Sequence, residues 1–186
     1  MSFFIVPTPI GNLNDFSARS IEILRSSKII LCEKKTRALK LLNYYKIRPN
    51  QLIAYHDDKS EKIAPLIVSE IRNNENISLI SDAGTPLISD PGHKIIRILV
   101  ENSIEPISVP GPSSIISALT LSTIDISNFI FLGFLPKNKK KIIQILQDKI
   151  YLVMPLVVFS SSKELKVLIR LLNLNYKHFF ISISKE

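Results

Sequence analysis

Cysteine occurs once, at Cys32, which rules out an intrachain disulfide and a cysteine-rich metal site. The three histidines, His56, His93 and His178, stand far apart and show no zinc-ligand spacing. Glycine is scarce, with 5 residues in 186. The glycine-rich dinucleotide fingerprint G-x-G-x-x-G is absent, as are the P-loop G-x-x-x-x-G-K-[ST] and the nucleophile elbow G-x-S-x-G. Phosphate cradling, serine hydrolysis and metal chemistry all lose ground. No apolar run approaches the roughly 20 residues of a membrane span. The opening "MSFFIVPTPIGN" has no basic flank and no small-residue cleavage site, and reads as a first strand, not a signal peptide. A cytoplasmic location without membrane attachment is the expectation. Acidic residues are outnumbered, 16 against 24 Lys and Arg, for a net charge of +8. That balance attracts polyanions, RNA first among them, although an Ile-, Lys- and Asn-rich composition also raises charge without any binding role.

What is present is enough apolar residue, 46% of the chain, for a sizeable core. Short β-branched runs alternate with helical patterns. "FFIV" (3–6), "KIILC" (28–32), "LIAY" (52–55), "ISLI" (77–80) and "EPISV" (105–109) read as strands. Helices are expected at 16–27, 36–45, 60–74 and 92–103, with Pro65 tolerable only near a first turn. This alternation predicts an α/β fold with a largely parallel sheet. A second unit follows "VPGPSS", with helices at 113–123, 139–149 and 163–172 and strands at 129–135, 155–159 and 178–184. The expected domains are 1–112, carrying the ligand-facing loops, and 113–186. The lysines between Lys137 and Lys141 form a loop or a helix start.

Bend-forming residues concentrate after strands. "PTPIGN" (7–12) follows the first, "SDAGTPLISDPG" (81–92) the fourth and "PGPSS" (110–114) the fifth. In a parallel α/β sheet these loops share the carboxyl edge, where ligands bind. Gly and Pro there let backbone groups approach a ligand, and Asp82 and Asp90 offer acceptors. Ordinary turn chemistry is the competing reading: Asp90 as N-cap with Pro91 at the first helical position suits a helix starting at 92.

The ordered set "VPTPIGNL", "SDAGTPLISDPG", "VPGPS" and "FLGFLPK" resembles the tetrapyrrole methylase superfamily, over nearly the whole chain. Within it the chain is similar to the members that methylate a cytidine ribose 2′-hydroxyl in small-subunit ribosomal RNA. The resemblance implies two α/β domains with S-adenosyl-L-methionine in the cleft between them, a homodimer, and the 30S subunit or its RNA as partner. It implies that Pro9, Gly84, Thr85, Pro86, Ser89, Ser113 and Ser114 line the cofactor site, with Phe159 to Ser161 contributing from the second domain. Methyl transfer needs alignment and removal of a hydroxyl proton; Glu33 is the first candidate base and Asp82 the second, and a cofactor hydrogen bond or a cap is open for either.

The chain departs from the family at three places. "CEKKTR" stands where the family has Glu-Asp-Thr-Arg, so the carboxylate beside Glu33 is replaced. "YHDDKS" keeps Tyr55 and His56 but loses a second His, and "FSSSKEL" loses a Glu, a His and an Arg. The second domain is expected to be incomplete, stopping after about three strands. Two further readings follow: a methylase for a tetrapyrrole or other small molecule, expected to show an apolar trough, and a non-catalytic module that binds cofactor or RNA.

Overall fold

Alternate residues of the central strands are apolar on both sides, and each side finds a helical layer. The computed structural model describes residues 1–150, 154–176 and 180–185. Two compact units divide the chain, Met1–Ser114 and Ile115–Lys185. In the first, β1 (Phe3–Val6), β2 (Ser27–Cys32), β3 (Gln51–Ala54), β4 (Asn76–Ile80) and β5 (Ile107–Ser108) form one parallel sheet in the order β3-β2-β4-β1-β5. Between them run α1 (Ala18–Ser26), α2 (Lys35–Tyr44), α3 (Ser60–Arg72) and α4 (His93–Glu101).

Phe3, Ile5, Ile29, Leu31, Ile77 and Leu79 pack against Ile67 and Ile71 of α3 and Ile95 and Leu99 of α4. Val6, Ile30, Cys32 and Ile80 point the other way, toward Leu24 of α1 and Ala38, Leu41 and Leu42 of α2. A sheet covered on both faces explains why its strands read as unbroken apolar runs. The buried polar pair in the sheet, Ser78 and Ser27, satisfies itself: their hydroxyls lie 2.6 Å apart, and that of Ser27 donates to the Ile23 carbonyl at 2.8 Å. Cys32 is buried with a thiol pushed up to about 11 by burial, and it behaves as a small core residue.

Several expected boundaries move. The first helix begins at Ala18, not at residue 16, because the Ser17 side chain caps it by accepting from the Ser20 N–H. Strand β5 shrinks to two residues. Pro65 sits in the second turn of α3, not the first. It is tolerated because Pro65 and Glu61, whose carbonyl loses its helical donor, both lie on the exposed face. The expected Asp90 cap does not form: Gly92 is the N-cap of α4, and its N–H donates to Asp57 Oδ1 at 2.9 Å. The expected last strand falls partly on residues 178 and 179, outside the described residues, and 180–184 form no strand.

Three helices end without glycine. Lys46, Asn74 and Ser103 adopt φ of 56°, 65° and 61° just past α2, α3 and α4. Ile47, Glu75 and Ile104 donate back to Leu42, Glu70 and Leu99 at 2.8, 3.0 and 2.9 Å, the bonding of a Schellman ending. Lys46→Gly relieves the left-handed penalty, and its expected gain is about 0.5–1 kcal/mol after the entropy glycine adds to the unfolded chain. Urea denaturation measures it.

From α5 (Ser114–Leu121), which starts on the last residue of the first unit, the chain continues in the second through β6 (Ile130–Phe134), α6 (Lys139–Ile150), β7 (Leu156–Phe159) and α7 (Ser162–Asn175). These two strands are parallel, and the Phe159 ring meets Phe131 and Phe134 at 5.0 and 5.4 Å between centroids. Ser161 and Glu164 form a capping box at the start of α7. Asn138 caps α6 by accepting from the Lys140 N–H at 2.9 Å, so the lysine run straddles a helix start.

Candidate functional site

The sheet order places the site. β1 and β4 are neighbours, but the chain leaves β1 through α1 toward β2 and leaves β4 through α4 toward β5. The two connections depart in opposite directions and to opposite faces, which opens a crevice at the carboxyl ends of this pair. The loops after β1, β4 and β5 close around it.

Backbone bonds join these loops. Thr8 N–H donates to the Gly84 carbonyl at 2.9 Å, and Gly84 N–H donates to the Thr8 carbonyl at 3.0 Å. The Ser81 hydroxyl adds a bond of 2.7 Å to the same Gly84 carbonyl. Gly84 has φ +79°, and a Cβ there would lie 3.2 Å from Ile10 Cγ2. Its amide and carbonyl are both used within the protein, so its contribution to a ligand is the side chain it lacks. The Thr85 hydroxyl donates to the Pro112 carbonyl at 2.9 Å, tying in the third loop. Gly111 packs so closely on Pro7 that a Cβ would meet Pro7 Cβ at 2.8 Å.

Pro9, Gly84, Thr85 and Pro86 are thus brought together at one edge, with Pro86 buried. Ser113, half-buried, and Ser114, exposed, follow directly on the Pro112 contact. Ser89 is exposed on the outer part of the long loop, with φ 65°, and Leu87 has φ 74°. Two non-glycine residues in this region mark a loop held in an uncommon conformation. Ser161 belongs to the second unit, where its side chain is engaged in the cap of α7.

Glu33 and Asp82 stand at the carboxyl ends of β2 and β4. Asp82 is the deeper, with its side chain 10% exposed against 23% for Glu33. Asp82 Oδ2 lies 3.3 Å from Lys34 Nζ and 3.2 Å from Arg37 Nη1. These are charge contacts, since no aligned hydrogen bond reaches that oxygen. Asp82 Oδ1 accepts from the Lys34 backbone N–H at 3.3 Å. Lys34 Nζ also lies 3.5 Å from Glu33.

Asp90 joins them, freed from the capping role expected of it. Burial, then the negative charges of Glu33 and Asp82, push its carboxyl up to about 6. No ion pair offsets this among the described residues. A second device holds the long loop. The buried Tyr55 hydroxyl, pushed up to about 12 mainly by burial, donates to Asp57 Oδ1 at 2.9 Å, the oxygen that also accepts from Gly92. "YHDDKS" therefore anchors the start of α4. The local signals around Asp90 favoured a cap, and only the long-range packing reveals its role and that of Asp57.

A family model for tetrapyrrole (corrin/porphyrin) methylases matches residues 2–176. The chain is 43% identical over 141 residues to ribosomal RNA small subunit methyltransferase I of Hydrogenobaculum sp., covering 76% of this chain and 61% of that one. It is 37% identical over 162 residues to the protein of the same name from Thermotoga maritima, covering 86% and 71%. Among solved structures, uroporphyrin-III C-methyl transferase from Thermus thermophilus complexed with S-adenyl homocysteine aligns at a TM-score of 0.59 and 16% identity, covering 94% of this chain and 73% of that one. The chain spans about half to two thirds of the length of most of the curated relatives it matches. With its parallel sheet, its three joined loops and a family match over most of its length, the chain belongs to the tetrapyrrole methylase family.

Proposed function

We propose that this chain binds S-adenosyl-L-methionine and serves in 2′-O-methylation of a cytidine ribose in small-subunit ribosomal RNA. The observation that carries the reading is the reciprocal Thr8–Gly84 bonding at the switch point, which fuses the loops after β1 and β4 into one rim. The residues fit such a cofactor. At Gly84 a side chain would press on Ile10, and the loops that meet there carry small polar and rigid groups: Pro9 on the first, Thr85, Pro86 and Ser89 on the second, and Ser113 and Ser114 on the third. When bound, S-adenosylmethionine supplies a sulfonium methyl already activated for attack by oxygen.

The protein's part is to orient and to take a proton. A preorganised rim contributes by alignment, which is worth up to roughly 7–11 kcal/mol in well-oriented reactions. Of the three carboxylates, Asp82 faces two cations and Glu33 one. Asp90, raised first by burial and then by the charges of Glu33 and Asp82, is the one suited to accept the ribose hydroxyl proton near neutral pH. The names of the curated relatives favour ribosomal RNA over a tetrapyrrole substrate. A cytoplasmic location and a homodimer accompany this reading on the same resemblance.

Calorimetric titration of S-adenosylmethionine into the 186-residue chain is the test. Micromolar binding is the expected result, followed by methyl transfer to isolated small ribosomal subunits. Binding without transfer identifies a non-catalytic module. No binding, from a chain shown to be folded, overturns the cofactor assignment.

A further inference from the structure

We propose that Lys34 and Arg37, braced from beneath by Asp82, form a phosphate-binding pair that seats the RNA strand at the mouth of this site. The inference rests on the RNA reading above and adds to it the residues that receive the backbone.

The charges are layered. Asp82 is the buried member, while the side chains of Lys34 and Arg37 are 55% and 61% exposed. An approaching polyanion meets the cations first. Lys35 stands beside them, exposed at the first position of α2. A carboxylate already sits at this helix start, since Asp82 Oδ1 accepts from the Lys34 N–H at 3.3 Å. The N-cap of α2 is Lys34, no side chain caps it, and its first turn has no acidic residue. Cations at a helix N-terminus oppose the macrodipole and forgo about 0.3–1 kcal/mol each. Asp82, at 3.3 Å from Lys34 Nζ and 3.2 Å from Arg37 Nη1, offsets that cost and fixes the pair in place. Asp82 holds them at two heights, since Lys34 precedes the helix and Arg37 lies within its first turn. Fixing flexible side chains in advance removes ordering cost from binding.

The test is fluorescence anisotropy of the whole chain with a labelled single-stranded oligoribonucleotide over a salt series, without cofactor. Two lost phosphate contacts lower the slope of log K against log salt by about 1.4, and affinity near 0.1 M salt by roughly 25-fold. Lys34→Ala/Arg37→Ala is expected to show both. Lys62→Ala/Arg72→Ala removes the same charge from α3 and controls for net charge. Equal losses in the two double variants overturn the proposal, because bulk charge then explains the binding. An unchanged slope with weakened S-adenosylmethionine binding overturns it also, and assigns the pair to the cofactor. Calorimetry on the unaltered chain separates these results from failure of the cofactor reading, since the RNA titration needs no cofactor.

Discussion

Gly92→Ala is expected to destabilise the first unit by about 2–6 kcal/mol. Gly92 has φ +142° and ψ −19°, a region closed to residues with a side chain. Holding such a residue there costs about 1–3 kcal/mol. Space is short as well: a Cβ would lie 2.7 Å from Leu87 Cδ2 and 2.8 Å from Leu79 Cδ2. Leu87 can swing, but Leu79 is 2% exposed in the core, and overpacking adds about 1–3 kcal/mol. The sum is a large share of the roughly 5–15 kcal/mol that holds a domain folded. Urea denaturation followed by circular dichroism measures it. A loss below 1 kcal/mol shows that the backbone relaxes to a negative φ. In that case the Asp57–Gly92 bond is broken, and Asp90 is displaced with it.

Asp90→Asn is expected to raise stability and lower activity together. The carboxyl is pushed up to about 6 from 3.8. The native state therefore binds more protons than the unfolded chain between about pH 4 and 6, and stability falls as pH rises through that window. Above it the whole penalty is present. The variant is more stable than the parent at pH 8, by about 1 kcal/mol once solvent screening of this half-exposed group is allowed for. Near pH 4 the two are equal. On the proposed methyl-transfer reading, activity of the parent is expected to decline below about pH 6, and the variant to lose roughly 10²–10⁴-fold along with that limb of the profile. Matched melting and transfer measurements at pH 4–8 check both halves. A variant with unchanged transfer excludes Asp90 as the proton acceptor.

The parallel sheet was legible in the sequence because burial on both faces leaves whole strands apolar, as in "KIILC" and "ISLI". The gathering of three bend-rich loops at one edge follows from that sheet. Asp90 was not legible. Ser-Asp-Pro-Gly before a helix satisfies every local preference for a cap, yet the donor at Gly92 is taken by Asp57, 35 residues upstream. Local propensity yields there to a tertiary hydrogen bond. Ser161 shows the reverse case, since Ser-Ser-Lys-Glu is a capping box readable by spacing alone. Lys34 reads as the replacement of a family carboxylate and Arg37, in one register, as the family's own Arg; the bracing of both by Asp82 depends on β2 and β4 lying side by side.

That adjacency has a consequence for synthesis. β4 inserts between β1 and β2, so the first two strands leave the ribosome with no sheet neighbour to share. About 75 residues separate the end of β1 from that of β4, some 4–15 s of translation at about 5–20 residues per second. Until β4 arrives, β1 lacks its neighbour on one side, and β2 has only β3 to pair with. The rim of the site is consequently among the last parts of the first unit to form, since a nascent chain halted before Ile80 holds the Thr8 loop without its Gly84 partner.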